Sequence, residues 1–233
     1  MQGHTEDTSR LVTAETSLNL RKRVQRWQRC HVILFMSAFL TSLAGILAFG
    51  LLVKNFSVFC PLSAKVVVER VKNGTQYDFT RGSQWGAKAA CDYCLFTTVT
   101  SFVYAFLWLW IFCSCSAPKA ESASNSYAPW RVVPPAIVVT CLFSILMLSC
   151  AVILTVGSST FCSTLQQQLH LESCSDAQSM RWSTKYVKME NFYNLITRSE
   201  IAIWLATTCW ILNSALLCLR CVCLQPDFPK PPA

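Results

Sequence analysis

Four long apolar blocks, each free of charge through its middle, restrict this sequence to one kind of fold. Val32 to Val53 contains no charged residue, Cys91 to Cys113 contains only Asp92 at its edge, and Val132 to Val156 contains none. Ile201 to Leu219 begins after Glu200 and stops at Arg220. A helix rises about 1.5 Å per residue, so roughly 20 apolar residues cross a hydrocarbon core of roughly 30 Å. In lipid every backbone polar group must be paired within its own element, which selects helices for blocks of this kind. The expected fold is an all-α integral membrane protein, a four-helix bundle with two disulfide-tied outer loops. Only 14% of residues are charged, against about 25% in soluble domains, and the deficit falls in these blocks. Pro134 and Pro135 open the third block, where a missing N–H costs a helix little.

Residues 1–30 form an N-terminal tail, 31–219 the membrane domain with spans at about 32–53, 91–113, 132–156 and 201–219, and 220–233 a C-terminal tail. The first span is longer than the core of a cleaved signal peptide and reads as an uncleaved signal anchor. Arg21, Lys22, Arg23, Arg26 and Arg29 precede it and Lys54 follows it closely. By the positive-inside rule the N-terminus is then cytosolic, and four crossings return the C-terminus to the same side. The 20 Lys and Arg residues of the whole chain divide evenly between the two sides, so this orientation rests on the first span. Asn73-Gly74-Thr75 is a glycosylation sequon in the first outer loop and agrees with it. Asn55-Phe56-Ser57 also fits the sequon but stands almost against the bilayer.

The 14 cysteines separate by compartment. Cys60, Cys91, Cys162 and Cys174 fall on the oxidising side, where disulfides form and persist. Four cysteines allow three pairings; Cys60–Cys91 and Cys162–Cys174 are favoured because each closes within one loop. Cys30, Cys113, Cys115, Cys218, Cys221 and Cys223 lie at the cytosolic boundary. Cys221 and Cys223, just beyond the last span, are the first candidates for S-palmitoylation. Cys141, Cys150 and Cys209 lie within spans, where cysteine packs as a small apolar residue. Cys91-Asp92-Tyr93-Cys94 offers a different reading, because a Cys-x-x-Cys at a lumenal helix end is the layout of quinone-linked thiol oxidoreductases. That chemistry needs a low-pKa thiolate and a resolving partner. Asp92 beside Cys91 disfavours the thiolate, and Cys91 has a structural partner in reach.

Charged groups at membrane depth tend to mark ion paths or relays, and no span carries one in its middle. Asn213 is the one strongly polar residue deep in a helix and reads as interhelical glue. Ser37, Thr41, Ala44, Gly45 and Ala48 suggest a small-residue packing stripe on span one. Trp108, Trp110 and Trp130 cluster towards the inner interface, where indoles settle. In the first outer loop Ala64 to Val71 is β-branched and predicts a strand turning at Asn73-Gly74. The second loop carries a basic-aromatic stretch from Arg181 to Tyr193, and the two loops are expected to pack together. The proline-rich end from Pro226 is too short to fold. His4, His31 and His170 are scattered, and no phosphate loop, zinc-ligand spacing or nucleophile elbow occurs. Catalytic, cofactor-binding and metal-ligating residues are therefore assigned to none, and no cofactor or nucleic-acid partner is expected.

Cys60-Pro61-Leu62 after span one, Asn73-Gly74 in the first loop, Cys91 opening span two, and Trp110-Ile111 to Cys115 closing it form a pattern. Phe161-Cys162-Ser163, Ser173-Cys174-Ser175-Asp176-Ala177-Gln178 and Phe192-Tyr193-Asn194-Leu195 complete it. In these features the chain resembles the transmembrane protein 179 family, most closely its B branch, over about residues 30 to 220. The resemblance implies a multi-pass protein of the secretory and surface membranes, in some members associated with secretory granules, without catalytic residues to carry over. The expectation is a non-enzymatic scaffold, accessory or trafficking component in plasma membrane or secretory and endosomal vesicles. Its expected partners are the lipid bilayer and other membrane proteins. A channel or transporter is the alternative, followed by a lumenal thiol oxidoreductase.

Overall fold

A computed structural model describes residues 3–71, 74–114, 133–183 and 187–224. In chain order it contains α1 (Gly3–Phe56), β1 (Cys60–Lys65), β2 (Val68–Val71), β3 (Gln76–Phe79), β4 (Gln84–Gly86) and α2 (Lys88–Ser114). α3 (Val133–Leu169), a 3-10 turn (Cys174–Ser179) and α4 (Phe192–Leu224) complete it. All four helices contain a stretch long and apolar enough to cross a bilayer.

The helices run well past the hydrocarbon-thick blocks. α1 begins at Gly3 rather than near Arg29, so the tail continues the first span's helix. Residues such as Glu, Arg, Gln, Leu and Lys lose little rotamer freedom in a helix, and tail residues 15–26 are rich in them. α3 likewise continues to Leu169 through a Ser, Thr and Gln segment. It stops where His170 takes a left-handed φ of 52° and Leu171 N–H donates back to the Gln166 carbonyl at 3.1 Å. That is the hydrogen bond of a Schellman cap. Ser57, at φ 53°, ends α1 in the same region of backbone space.

α1 packs on α4 and α2, and α3 packs on α4 and more lightly on α2, giving a ring of neighbours. The small residues facing into the ring from α1 are Ala38, Ser42, Gly45 and Ala48. Ala44 is instead exposed, and Ser37 and Thr41 are only half-buried. The stripe is thus set by the helical face pointing at α4 and α2, one residue on from the Ser37–Thr41–Ala44 spacing. A Cβ on Gly45 would stand 3.3 Å from Thr98 Cγ2 and 3.4 Å from Ile203 Cγ1, so it marks close approach of three helices.

The bundle centre is aromatic. Trp210 of α4 stacks on Phe143 of α3 at 4.9 Å and meets Phe35 of α1 edge-on at 5.8 Å. Its Nε1–H donates to Ser101 Oγ of α2 at 2.7 Å, and Ser101 in turn pairs with Ser42 Oγ of α1 at 2.9 Å. One buried indole therefore touches all four helices with its polar edge satisfied, as burial of a tryptophan requires. Trp108 joins this core at 8% exposure, whereas Trp110 is exposed at 66%. Trp130 lies outside the described residues.

Candidate functional site

At one end of the bundle the two connections build a small β-layer. β1 pairs antiparallel with β4, and β2 pairs antiparallel with β3 from Val68–Phe79 to Val71–Gln76. The β-branched run is thus split into β1 and β2. Gly74 supplies a positive φ of 80° in the turn to β3. The second connection reaches across: Tyr77 N–H donates to the Arg181 carbonyl at 3.0 Å, and Ser183 N–H to the Tyr77 carbonyl at 2.8 Å. Trp182 between them lies flat on Phe79, ring centres 4.8 Å apart, and donates through Nε1–H to the Ala177 carbonyl at 2.8 Å. Phe59 and Trp85 stack at 4.7 Å, and Phe56 meets both Trp85 and Phe161 edge-on. The outer layer is one aromatic-cored body continuous with the bundle.

Two disulfides fasten it. Cys60 is bonded to Cys91, tying the start of β1 to the first turns of α2, and Cys162 is bonded to Cys174, tying α3 to the 3-10 turn. Ser173 caps that turn reciprocally with Asp176, so the Ser-Cys-Ser-Asp run of the sequence is a capping box. Cys94 does not pair with Cys91. It is buried one turn deeper, its Sγ 3.8 Å from the Cys150 carbonyl, while Cys150 Sγ lies 3.8 Å from the Cys94 carbonyl. The two thiols pack α2 on α3. Cys141 Sγ sits 2.9 Å from Ser214 Oγ, and Cys209 is half-buried.

Inside the membrane, sequence reading missed one relationship. His31, one of the three scattered histidines, is fully buried and its Nδ1 lies 3.0 Å from Asn213 Oδ1. An amide oxygen only accepts, so the imidazole donates through Nδ1–H. The partners are 182 residues apart, and only the fold brings α1 and α4 into register. Nearer the outer layer Ser158 donates to the Glu200 carboxylate. Tyr93 shares a hydrogen bond with Ser149 at 2.6 Å, and Thr207 donates to the Met147 carbonyl at 3.2 Å. Each joins two helices.

Cys30, Cys113 and Cys218 are exposed at the end of the bundle away from the disulfides. Cys115, Asn73 and the side chains of Cys221 and Cys223 lie outside the described residues. Among the described residues no three His, Cys, Asp or Glu side chains are grouped to hold a metal ion.

These features define a class: a four-helix, multi-pass membrane protein whose two connections on one side form a disulfide-fastened β-layer. A family model described as the transmembrane protein 179/179B claudin domain matches residues 27–226. The chain belongs to that family, whose model takes 179 and 179B together. No curated protein and no solved structure matches it.

Proposed function

We propose that the protein is a non-enzymatic scaffold or accessory subunit of the secretory and surface membranes, with the outer layer as its contact face and both termini cytosolic. The observation that carries this is the construction of that layer. Both connections are tied to the bundle by disulfides and to each other through Tyr77 and the Arg181–Ser183 backbone. A surface held this firmly loses little conformational entropy on meeting a partner, which is where association energy is usually lost. The spans support the same reading, since their polar side chains pair with one another across helix contacts, as in Ser42–Ser101–Trp210 and His31–Asn213.

The test is site-specific photo-crosslinking in living cells. A crosslinker at Val67, which is 40% exposed on the outer layer, is compared with one at Ile145, 67% exposed on the lipid face of α3. A discrete membrane-protein adduct at Val67 and at neighbouring Lys65, absent at Ile145, is expected. If no outer-layer position gives an adduct above the Ile145 background, the scaffold reading fails.

A further inference from the structure

Where α1 leaves the membrane, it and the start of α4 border a half-open cavity of about 480 Å³, within the ~300–1,000 Å³ range of small-molecule sites. Its walls include Leu51 and Asn55 of α1, Lys188 and Glu190 of the segment entering α4, and Leu195 and Arg198 of α4, with the amides of Asn191 and Asn194 beside them. The segment is held in place: Lys188 N–H donates to the Asn55 carbonyl at 2.9 Å, and Val187 and Met189 are buried. The extended backbone then turns Lys188 and Glu190 outward by simple alternation. Arg198 lies one helical turn beyond Leu195, on the same face.

The chemistry of this cavity is amphiphilic in a fixed direction. Lys188 and Glu190 stand at its outer edge and Arg198 lower on α4, level with Leu51 by the packing of Gly45 against Ala202 and Ile203, and neither cation forms a salt bridge among the described residues. Its membrane side is Leu51, half-exposed, from which Leu47 (59%) and Leu40 (54%) continue the lipid-facing stripe of α1 into the bilayer. On α4 the stripe below Arg198 continues through Ile201 (56%) and Leu205 (51%). A ligand here meets charge at one end and an open apolar track at the other. A soluble anion uses only the first of these, and a plain hydrocarbon only the second.

The geometry points to a binding site for a zwitterionic phospholipid of the leaflet beneath the outer layer. Lys188 and Arg198 grip its phosphodiester, Glu190 faces its ammonium group, and an acyl chain lies along Leu51 and Leu47. Charge-assisted hydrogen bonds from two cations suit a phosphate, and the carboxylate discriminates a choline or ethanolamine headgroup from an anionic glycerol one. The site lies at the membrane edge of the layer proposed as the contact face, and lipid occupancy tests it apart from any protein adduct.

The experiment is native mass spectrometry of the full chain in lipid-free detergent, titrated with phosphatidylcholine or phosphatidylglycerol. The wild type is expected to hold one phosphatidylcholine. The double substitution Lys188→Gln with Arg198→Gln is expected to weaken binding roughly tenfold or more, the loss of two charge-assisted contacts. Glu190→Gln is expected to erase the preference for phosphatidylcholine over phosphatidylglycerol, while Lys65→Gln, a cation elsewhere on the outer layer, changes nothing. Retention of the Cys60–Cys91 disulfide and a monodisperse elution peak verify the fold of each variant. Equal lipid occupancy in wild type and double variant overturns the site. Displacement of the lipid by excess inorganic phosphate, or a wild-type preference for phosphatidylglycerol, overturns the choice of ligand.

Discussion

Leu62 of β1 rests directly on Gly157 of α3: a Cβ at Gly157 would stand 2.9 Å from Leu62 Cβ and 3.1 Å from its Cα. Leu62 is 1% exposed, and the contact includes backbone, so neither side can yield by changing a rotamer. Gly157→Ala is predicted to lift β1 from α3 and destabilise the fold by about 1–3 kcal/mol, the usual cost of overpacking. Gly45→Ala is the comparison, because its Cβ meets only side-chain atoms at 3.3 Å and beyond and is expected to cost less. Thermal unfolding of both variants in the same detergent gives the order, and an equal or larger loss at Gly45 would contradict this account of docking.

The disulfides act on the same layer. Loop closure predicts about 3–4 kcal/mol for Cys60–Cys91, at a sequence separation of 31, and about 3 kcal/mol for Cys162–Cys174, at a separation of 12. Cys60→Ser is therefore expected to lower the melting temperature at least as much as Cys162→Ser. Cys94→Ser is expected to leave both disulfides in place, since Cys94 packs against Cys150 rather than Cys91. Peptide mapping without reduction checks this, and a Cys91–Cys94 linkage in the wild type would revive the oxidoreductase alternative.

How far the sequence alone reaches is explained by the range of each interaction. The spans follow from blocks of apolar residues, a local property, and the two cysteine pairs are close in sequence. Of the small residues on α1, Gly45 and Ala48 face the neighbouring helices while Ser37, Thr41 and Ala44 lie one face over, because small residues occur on two adjacent faces and only contact with α2 and α4 decides between them. The split of the β-branched run into β1 and β2 depends on pairing with Gln84–Gly86, which no local propensity reveals. Trp182 lay in a stretch legible only as basic and aromatic. Its parallel bridge to Tyr77 joins different connections across α2 and α3. His31 was the plainest omission, because a single histidine at a span's edge carries no signal until Asn213 stands opposite.

Asn73 belongs to the connection that carries β2 and β3, on the disulfide side of the bundle. If that side is lumenal, as the positive-inside rule predicts from the basic residues before the first span, the sequon meets the glycosylation machinery. The expected result is a mobility shift on endoglycosidase treatment that Asn73→Gln abolishes and Asn55→Gln leaves unchanged. Asn55 lies in the last turn of α1, almost against the bilayer, where it gives its carbonyl to Lys188, whereas Asn73 lies well along the connection. A shift lost with Asn55→Gln alone would contradict this assignment.

The His31–Asn213 pair gives the sharpest test of the bundle interior. Both side chains are 0% exposed, and His31 Nε2 and Asn213 Nδ2 find no further partner among the described residues. Asn213→Leu leaves the His31 donor buried and unpaired, a penalty of about 1–3 kcal/mol, and His31→Phe does the same to the Asn213 amide. His31→Phe with Asn213→Leu removes both polar groups. The new ring would lie beside Phe112, already 5.4 Å from the imidazole. The double variant is thus expected to be more stable than the sum of the single losses allows, by roughly 0.5–2 kcal/mol, since hydrogen-bond couplings between membrane helices are small. Unfolding of the four proteins in one detergent measures the coupling. Strict additivity would show that the two residues do not meet, and would place α1 and α4 in a different register.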